Sequence, residues 1–578
     1  MPAVTAEVQD SRRLTGPNLV ADGPGAVIDC SIEGVPVDDF LDAWRRRVRE
    51  ALDAVGWGEQ HTADRPYRGG ATVFHSAPID ALYAATEVNE WAWAAAAADV
   101  GAGSTPEALD SAAPRLKKLI EEEQNPALLA LQRSARERGV SFLSDDDHAS
   151  IGTGTGSHTW NVTALPHPDE VPWDEVHDVP LVLVTGTNGK TTTVRMLAAM
   201  AEAAGHRVGF TCTDGIYVGG KVVDAGDWSG PGGARTVLRD RRVEFAVLET
   251  ARGGMLRRGL PVERADGALV TNVAADHLGE WGVMSVGDVA AAKLVVAKAV
   301  RHGPPLVVNA DDPHLADAAR ALDRPLTWVA TDDAPRVQAE AGPASVTWTL
   351  DDGWLVRAAG GESDRIVEAH EIPATLGGAA GHNISNALGA AALAHALGLS
   401  DQAIRSGLVR FDSSPELSPG RGNLFDIGGT SVLVDFVHNP HGFAAMASTV
   451  RQLAPKRVGL ILGHAGDRDD ESIRELVRAA WQLGPERVAV KEMSDYLRGR
   501  PPGQIPAVIR AELSILGAPD EAISTHDDEV AAARALLEWA REGDFLLFAS
   551  QADRSGILEL VESLRTSEWK PGGDVPLP

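Results

Sequence analysis

Short apolar runs alternate with helix-length segments in two blocks of the chain, and a polar, irregular stretch precedes the first block. In residues 1–100 a strand-like run at 26–32 is followed by helical patterning at 37–55 and 79–98, which reads as a small α+β unit. Between 101 and about 180 the periodicity fades, apart from charged helices near 115–123 and 126–138. Within that stretch SIGTGTGSHTW, at 150–160, is rich in glycine and threonine. From 181 onward, apolar runs at 181–184, 243–248, 268–271 and 306–309 are spaced by helix-length segments. Such alternation predicts parallel βαβ units in a doubly wound, mostly parallel sheet. A second alternating block follows SSPELSPGRGN at 413–423, whose prolines and glycines mark a linker or domain entry. Its strands are expected at 432–436, 458–462, 487–490 and 545–549. The expected class is α/β throughout the larger part of the chain, with a Rossmann-like C-terminal block.

Open parallel sheets bind ligands at the carboxyl ends of their strands, and most of the chemically suggestive residues fall there. The run LVLV leads into Thr185-Gly186-Thr187-Asn188-Gly189-Lys190-Thr191-Thr192. Its glycines let backbone N–H groups aim at phosphate oxygens, and a helix starting near Thr191 adds its positive end. Lys190 has the reach for β- and γ-phosphates, and the hydroxyl of Thr191 or Thr192 suits Mg2+. The spacing departs from G-x-x-x-x-G-K-[ST], because the first glycine of that pattern falls on Val184. A second strand ends in Glu249, a carboxylate suited to a metal beside the phosphates, and Arg252-Gly253-Gly254 adds a turn with a cation. A third runs through Thr271-Asn272 to Asp276-His277, an imidazole available to a second ion although magnesium favours oxygen. Lys293 interrupts an apolar helical segment, a setting from which lysines usually reach the surface. Asn309 with Asp311-Asp312 closes a fourth strand and suits nucleoside hydroxyl or amino groups.

Composition narrows the partners. The 578 residues suggest three or four domains of about 150 residues each. A net charge of -29 without a long basic run argues against nucleic acid. Two distant cysteines, Cys30 and Cys212, exclude a disulfide framework and fit the cytoplasm. The N-terminal stretch has no basic and apolar leader pattern, and the apolar run at 91–100 is too short to span a bilayer. A cytoplasmic protein with no membrane partner is expected.

In order along the chain, GTNGKTT at 186–192, Glu249, TNVAADHLG at 271–279, Lys293, NADDP at 309–313, GHNISNALGAA at 381–391, PGR at 419–421 and VDFVHNP at 434–440 resemble the motifs of the Mur ligase superfamily. Within it, TCTDGIYVGG, GDWSGPGGAR, LETARGGMLRRGL, HAGDRDD, KEMSDYLRGRPPG and, near the start, SRRLTGPNL are similar to the cyanophycin synthetase branch. That branch carries an ATP-grasp domain between its N-terminal and Mur-like regions. The interval available here is far too short for one, although RERGVSFLSDDDHASIGTGTG resembles its lead-in. The resemblance implies an N-terminal domain at 1–100, a linker or remnant of a deleted ATP-grasp region at 101–178, a P-loop ATP-binding domain at 179–408 and a C-terminal domain at 409–578.

It also implies a chemistry: an ADP-forming acid–amino-acid ligase that works through an acyl phosphate. Such an enzyme joins an acidic amino acid or peptide carboxylate to an amino acid or amine, here without polymerising. The implied cofactors are ATP and two Mg2+ ions. Gly186, Thr187, Asn188, Gly189, Lys190, Thr191 and Thr192 would cradle the triphosphate. Thr191 and Glu249 would hold one ion, and Glu249, His277 and a carbamylated Lys293 the other, with Lys190, Glu249, His277 and Lys293 forming the catalytic set. Asn309, Asp312, Asn383 and Arg421 would position the nucleotide, joined by Asp435, His438 and Asn439. Arg252, Asp467, Arg468, Lys491, Arg498 and Arg500 would meet the substrates, and a linker near 408 would let two lobes close. The partners implied are small-molecule amino acids or peptides, with homo-oligomerisation left open. Two alternatives stand beside this: an idle Mur-like scaffold, and a subunit serving a separate amidotransferase.

Overall fold

The computed structural model describes residues 4–300, 303, 305–332, 334–341, 345–567 and 569–575. The chain divides into two compact units, one built mainly from residues before 350 and the other mainly from residues after 407.

The first unit opens with a four-stranded antiparallel sheet in the order Thr5–Leu14, Gly25–Glu33, Gly70–Ser76, Thr62–Tyr67. Helices Val37–Val55 and Leu82–Asp99 cover it and enclose Phe40, Leu41, Trp44 and Val88. The first of these helices stops where Gly56 takes the left-handed conformation, φ 87°, that glycine adopts without strain. In the core the Trp44 indole donates to Asn89 Oδ1 at 3.1 Å, which satisfies a polar group that burial would otherwise penalise.

The stretch of faded periodicity is folded. Phe142–Ser144, His148–Ile151 and His158–Asn161 form a small antiparallel sheet, and Leu131, Ala135, Ile151, Val171 and Val176 form an apolar cluster of their own. Strands of three and four residues are too short to display an alternating pattern, so the sequence hides them. The glycine- and threonine-rich string serves packing: Thr155 N–H donates to Val243 O at 2.8 Å. A Cβ on Gly154 would lie 2.3 Å from that same oxygen.

The central sheet runs Lys221–Ala225, Gly215–Val218, Val208–Cys212, Phe245–Glu249, Leu181–Thr185, Gly267–Val270, Leu306–Asn309, Thr327–Ala330, Thr347–Asp351 and continues through Trp354–Ala359 and Glu362–Glu368. From Val208–Cys212 to Thr347–Asp351 the pairs are parallel, and the edge hairpin is antiparallel. Leu181–Thr185, Phe245–Glu249 and Gly267–Val270 are buried at every position, as expected of parallel strands covered on both faces.

The second unit holds a six-stranded sheet in the order Arg421–Ile427, Thr430–Asp435, Phe545–Ala549, Val458–Leu462, Arg487–Lys491, Ile523–His526. Only the first pair is antiparallel. Beyond the strand ends, Glu529 accepts from Ser550 Oγ at 2.8 Å and from the N–H groups of Gln551, Ala552 and Asp553 at 2.7, 2.7 and 2.8 Å. It is also ion-paired with Lys491, and both side chains are almost wholly enclosed, at 1% and 0% exposure. Burial raises the proton affinity of Glu529, but Lys491 and the N–H donors outweigh it and hold the carboxyl below its usual range. Among the described residues, no helix is long and apolar enough to cross a membrane.

Removing one member of a buried ion pair leaves the other charge uncompensated. Glu529→Ala is therefore expected to lower the unfolding free energy of this unit by about 3–5 kcal/mol. Urea denaturation of the full chain measures it, and a loss below about 1 kcal/mol would count against the pair as an anchor.

Candidate active site

At the end of Leu181–Thr185 the chain turns through Gly186, φ 154°, and Gly189, φ 84°. A Cβ on Gly186 would lie 1.8 Å from Thr271 Oγ1, so the neighbouring strand end admits only glycine there. Val184, where the longer phosphate-loop pattern has its first glycine, is a buried strand residue. The turn is laced to the next strand end. Thr187 N–H donates to Asn272 O and Asn188 N–H to Asn272 Oδ1, each at 2.9 Å, while Ala274 N–H donates to Thr187 Oγ1 at 3.0 Å. Helix Lys190–Ala203 then starts from Gly189 without a capping side chain. Its first N–H groups suit an anion, and Lys190 Nζ rests on Thr187 O at 3.1 Å.

Next to this helix start, Thr191 Oγ1 donates to Glu249 Oε2 at 2.7 Å. Both residues are buried, at 4% and 2% exposure. Thr213 Oγ1 lies 3.2 Å from Thr191 Oγ1. Two hydroxyls and a carboxylate form an all-oxygen set of the kind a hard divalent cation takes, so the residues present fit Mg2+. Thr213 escaped the sequence reading. Its cue is Arg195, a cation one turn beyond Thr191 on a buried helix, which pairs with Asp214 at 3.4 Å, donates to Tyr217 Oη at 3.1 Å and fixes the turn holding Thr213.

A second cluster surrounds Arg252. Its guanidinium reaches Glu280 Oε2 at 3.1 Å and Asp276 O at 3.2 Å. His277 Nδ1 stands 3.5 Å from Glu280 Oε1, with the ring partly exposed. His277 has φ 50°, an uncommon conformation for a residue other than glycine. Lys293 ends helix Val286–Lys293 and, at 4% exposure, is enclosed rather than surface-reaching as its sequence context suggests. Burial and the nearby cations Lys190 and Arg252 push its proton affinity well below the usual lysine range, against the pull of Asp276 and Glu249.

Asn309 and Asp312 tie strand ends together. Asn309 Nδ2 donates to Thr271 O at 3.0 Å, and Asp312 caps helix Pro313–Arg320 while accepting from Val273 N–H at 2.6 Å.

In the second unit, Asn383 donates to Ala374 O at 2.7 Å and accepts from Asn386. Asn439 caps helix Pro440–Leu453, and His438 Nδ1 lies 3.0 Å from Phe436 O. The Arg421 guanidinium stacks 4.4 Å from the Phe436 ring centre. Burial raises the Asp435 carboxyl to about 6 despite Arg421 beside it. Of the residues expected to meet substrate, Asp467 and Arg498 are exposed. Arg500 is engaged with Asp470 at 2.6 Å and with the carbonyls of Gly466 and Arg468. Lys491, expected to meet substrate, is instead fully enclosed, and its ammonium donates to Glu529, Ala549 O and Gln551.

Comparison with known proteins agrees with this architecture. The Mur ligase middle domain matches residues 184–394, and the Mur ligase, glutamate ligase domain matches residues 420–552. A cyanophycin synthetase of Synechocystis sp. is 38% identical over 388 residues, which is 67% of this chain and 44% of that protein. The chain thus spans less than half the length of the cyanophycin synthetases it matches. A UDP-N-acetylmuramoyl-L-alanyl-D-glutamate--2,6-diaminopimelate ligase of Corynebacterium glutamicum is 27% identical over 456 residues, 74% of this chain and 79% of its own. Among solved structures, a bifunctional folylpolyglutamate synthase/dihydrofolate synthase with Mn, AMPPNP and L-glutamate bound is similar in fold. It has a TM-score of 0.50 at 22% identity and covers 66% of this chain and 90% of its own. With the middle and glutamate ligase domains matched in order over the phosphate loop and the second sheet, this chain belongs to the Mur ligase family.

Proposed function

We propose that this chain is an ATP-dependent, ADP-forming carboxylate–amine ligase that forms an amide bond through an acyl phosphate. The observation that carries the reading is the oxygen cluster of Thr191, Glu249 and Thr213 at the start of the helix that bears Lys190. A carboxylate oxygen of the first substrate attacks the γ-phosphorus of ATP, the bond to the β-phosphate oxygen breaks, and ADP leaves. The amine nitrogen of the second substrate then attacks the acyl carbon, the C–O bond breaks with its electron pair leaving on phosphate, and the nitrogen gives up a proton to solvent. Bringing two anions together is the main barrier, so positioning and charge neutralisation do most of the work.

Gly186 and Gly189 shape the turn so that the first N–H groups of helix Lys190–Ala203 would face the triphosphate, and Lys190 would supply positive charge for the transferring phosphoryl group. Thr191 and Glu249, with Thr213, would hold one Mg2+, and Glu249 with His277 a second. Such ions would supply charge neutralisation for the transferring phosphoryl group. Lys293, which loses its proton readily, adds CO2 and releases a proton to become an anionic carbamate beside Arg252. Arg252 orients the incoming carboxylate. We infer an acidic amino acid or peptide as the acid and an amino acid or other amine as the nucleophile, in the cytoplasm where ATP is supplied. The reading that the product is not a polymer rests on the interval 101–178. Two helices and a three-stranded sheet fill it, with no length left for a second ATP-using domain.

A screen of acidic amino acids and dipeptides against amino acids, read as ADP release and by mass spectrometry of the products, should find a productive pair. Hydroxylamine should trap its acyl phosphate, and Lys190→Ala should lower ADP formation at least about 100-fold. If no pair releases ADP and Lys190→Ala leaves the chain's behaviour unchanged, the scaffold alternative takes its place. Equilibration with 13C-bicarbonate should give a carbamate resonance in the NMR spectrum that Lys293→Arg abolishes.

A further inference from the structure

The loop that carries His277 is held from two sides. Where it leaves the sheet, Asn272 and Ala274 are bonded to the phosphate turn. At its far end it meets the N-terminal sheet. The Trp281 indole donates to Asp10 Oδ2 at 2.9 Å. Arg65 donates to Trp281 O at 3.1 Å and to Gly282 O at 2.8 Å, and pairs with Asp288 at 3.3 Å. Asp288 forms the capping box of helix Val286–Lys293 with Ser285, so the same arginine braces the helix that ends in Lys293. Gly282, φ 67°, lies against Tyr67, and a Cβ there would be 2.4 Å from the ring. Behind this contact Asp10 pairs with Arg12 at 3.1 Å. Arg12 pairs with Asp29 at 2.6 Å and donates to Leu256 O at 3.0 Å, with Arg12 and Asp29 both buried.

Between the two anchors, His277 and Trp281 both have positive φ, 50° and 49°. A bulky residue keeps such a conformation only where its surroundings impose it. Trp281 and Gly282 form the centre of a turn closed by Val283 N–H donating to Glu280 O at 3.0 Å, and Asp10 and Arg65 hold that turn from the N-terminal sheet. His277 is four residues away and is otherwise steadied by Glu280 and Asp276 on the same loop.

We propose that Arg65 and Asp10 of the N-terminal sheet are positioning residues for the His277 metal site: by fixing Trp281 and Gly282 they set the loop geometry that presents the imidazole. The N-terminal sheet is then part of the catalytic apparatus and not an appended binding module. The inference rests on the proposed role of His277 as a metal ligand.

The test is Mn2+ binding to the full chain in the presence of AMPPNP, followed by electron paramagnetic resonance, with hydrogen exchange of residues 274–284 measured in parallel. Arg65→Met should weaken Mn2+ binding about 10-fold, as loss of an outer partner of a metal ligand does, and should speed exchange in the loop. Trp281→Phe, which keeps the ring and removes the N–H that Asp10 accepts, should act in the same direction and guards against a folding defect in the first variant. Because both act through His277, adding Arg65→Met to His277→Ala should cost no further Mn2+ affinity, whereas an independent structural effect would add. If His277→Ala is weakened and neither Arg65→Met nor Trp281→Phe is, the inference is overturned and the proposed function stands. If His277→Ala binds Mn2+ as the wild type does, the metal role of His277 falls and takes the inference with it. Full additivity in the double variant also overturns it.

Discussion

The site depends on the parallel register of Leu181–Thr185 between its two neighbours. Glu249 pairs with Val184 on one side, and Val270 pairs with Thr185 on the other. This aligns three strand ends, so that the glycine turn, the carboxylate and Thr271 emerge side by side. The hydrogen bond from Thr191 to Glu249 closes the arrangement across the first turn of the helix. A one-residue slip of either neighbour would turn its side chains to the opposite face of the sheet and take the carboxylate out of reach. The same alignment explains the short loop. With Thr271 Oγ1 placed where a Cβ of residue 186 would stand, the glycine must be at 186, and Val184 is free to remain a core residue of the strand.

Much of the fold was legible because long parallel strands and amphipathic helices write themselves as period and run length. The runs at 181–184, 306–309, 458–462 and 545–549 correspond to strands Leu181–Thr185, Leu306–Asn309, Val458–Leu462 and Phe545–Ala549. Thr62–Tyr67 was hidden because its side chains are mostly half-buried, with polar and apolar residues sharing both faces. The small sheet around His148–Ile151 was hidden by its brevity. In the site, residues adjacent in sequence to a glycine turn or a strand end could be read from motif alone. Thr213 could not, since its approach to Thr191 depends on Arg195 and Asp214 meeting through the tertiary fold. Nor could the approach of Asp10 and Arg65 to the loop of His277, which joins residues more than two hundred positions apart.

Four buried cations illustrate why the partners a fold supplies, rather than residue type, decide what a buried charge does. Arg195 is enclosed but has Asp214 and the rings of Phe210 and Tyr217 around it, and stays charged as a brace. Arg12 is likewise matched, by Asp29. Lys491 is wholly enclosed and its donors are filled by Glu529, Ala549 O and Gln551, which makes it an anchor for the loop after Phe545–Ala549. Lys293 differs from all three. Its strongest neighbouring charges include two cations, Lys190 and Arg252. Burial in that company pushes its proton affinity well below the usual lysine range. The partners gathered by the fold, and not the residue type, separate the surroundings of Lys293 from those of Lys491.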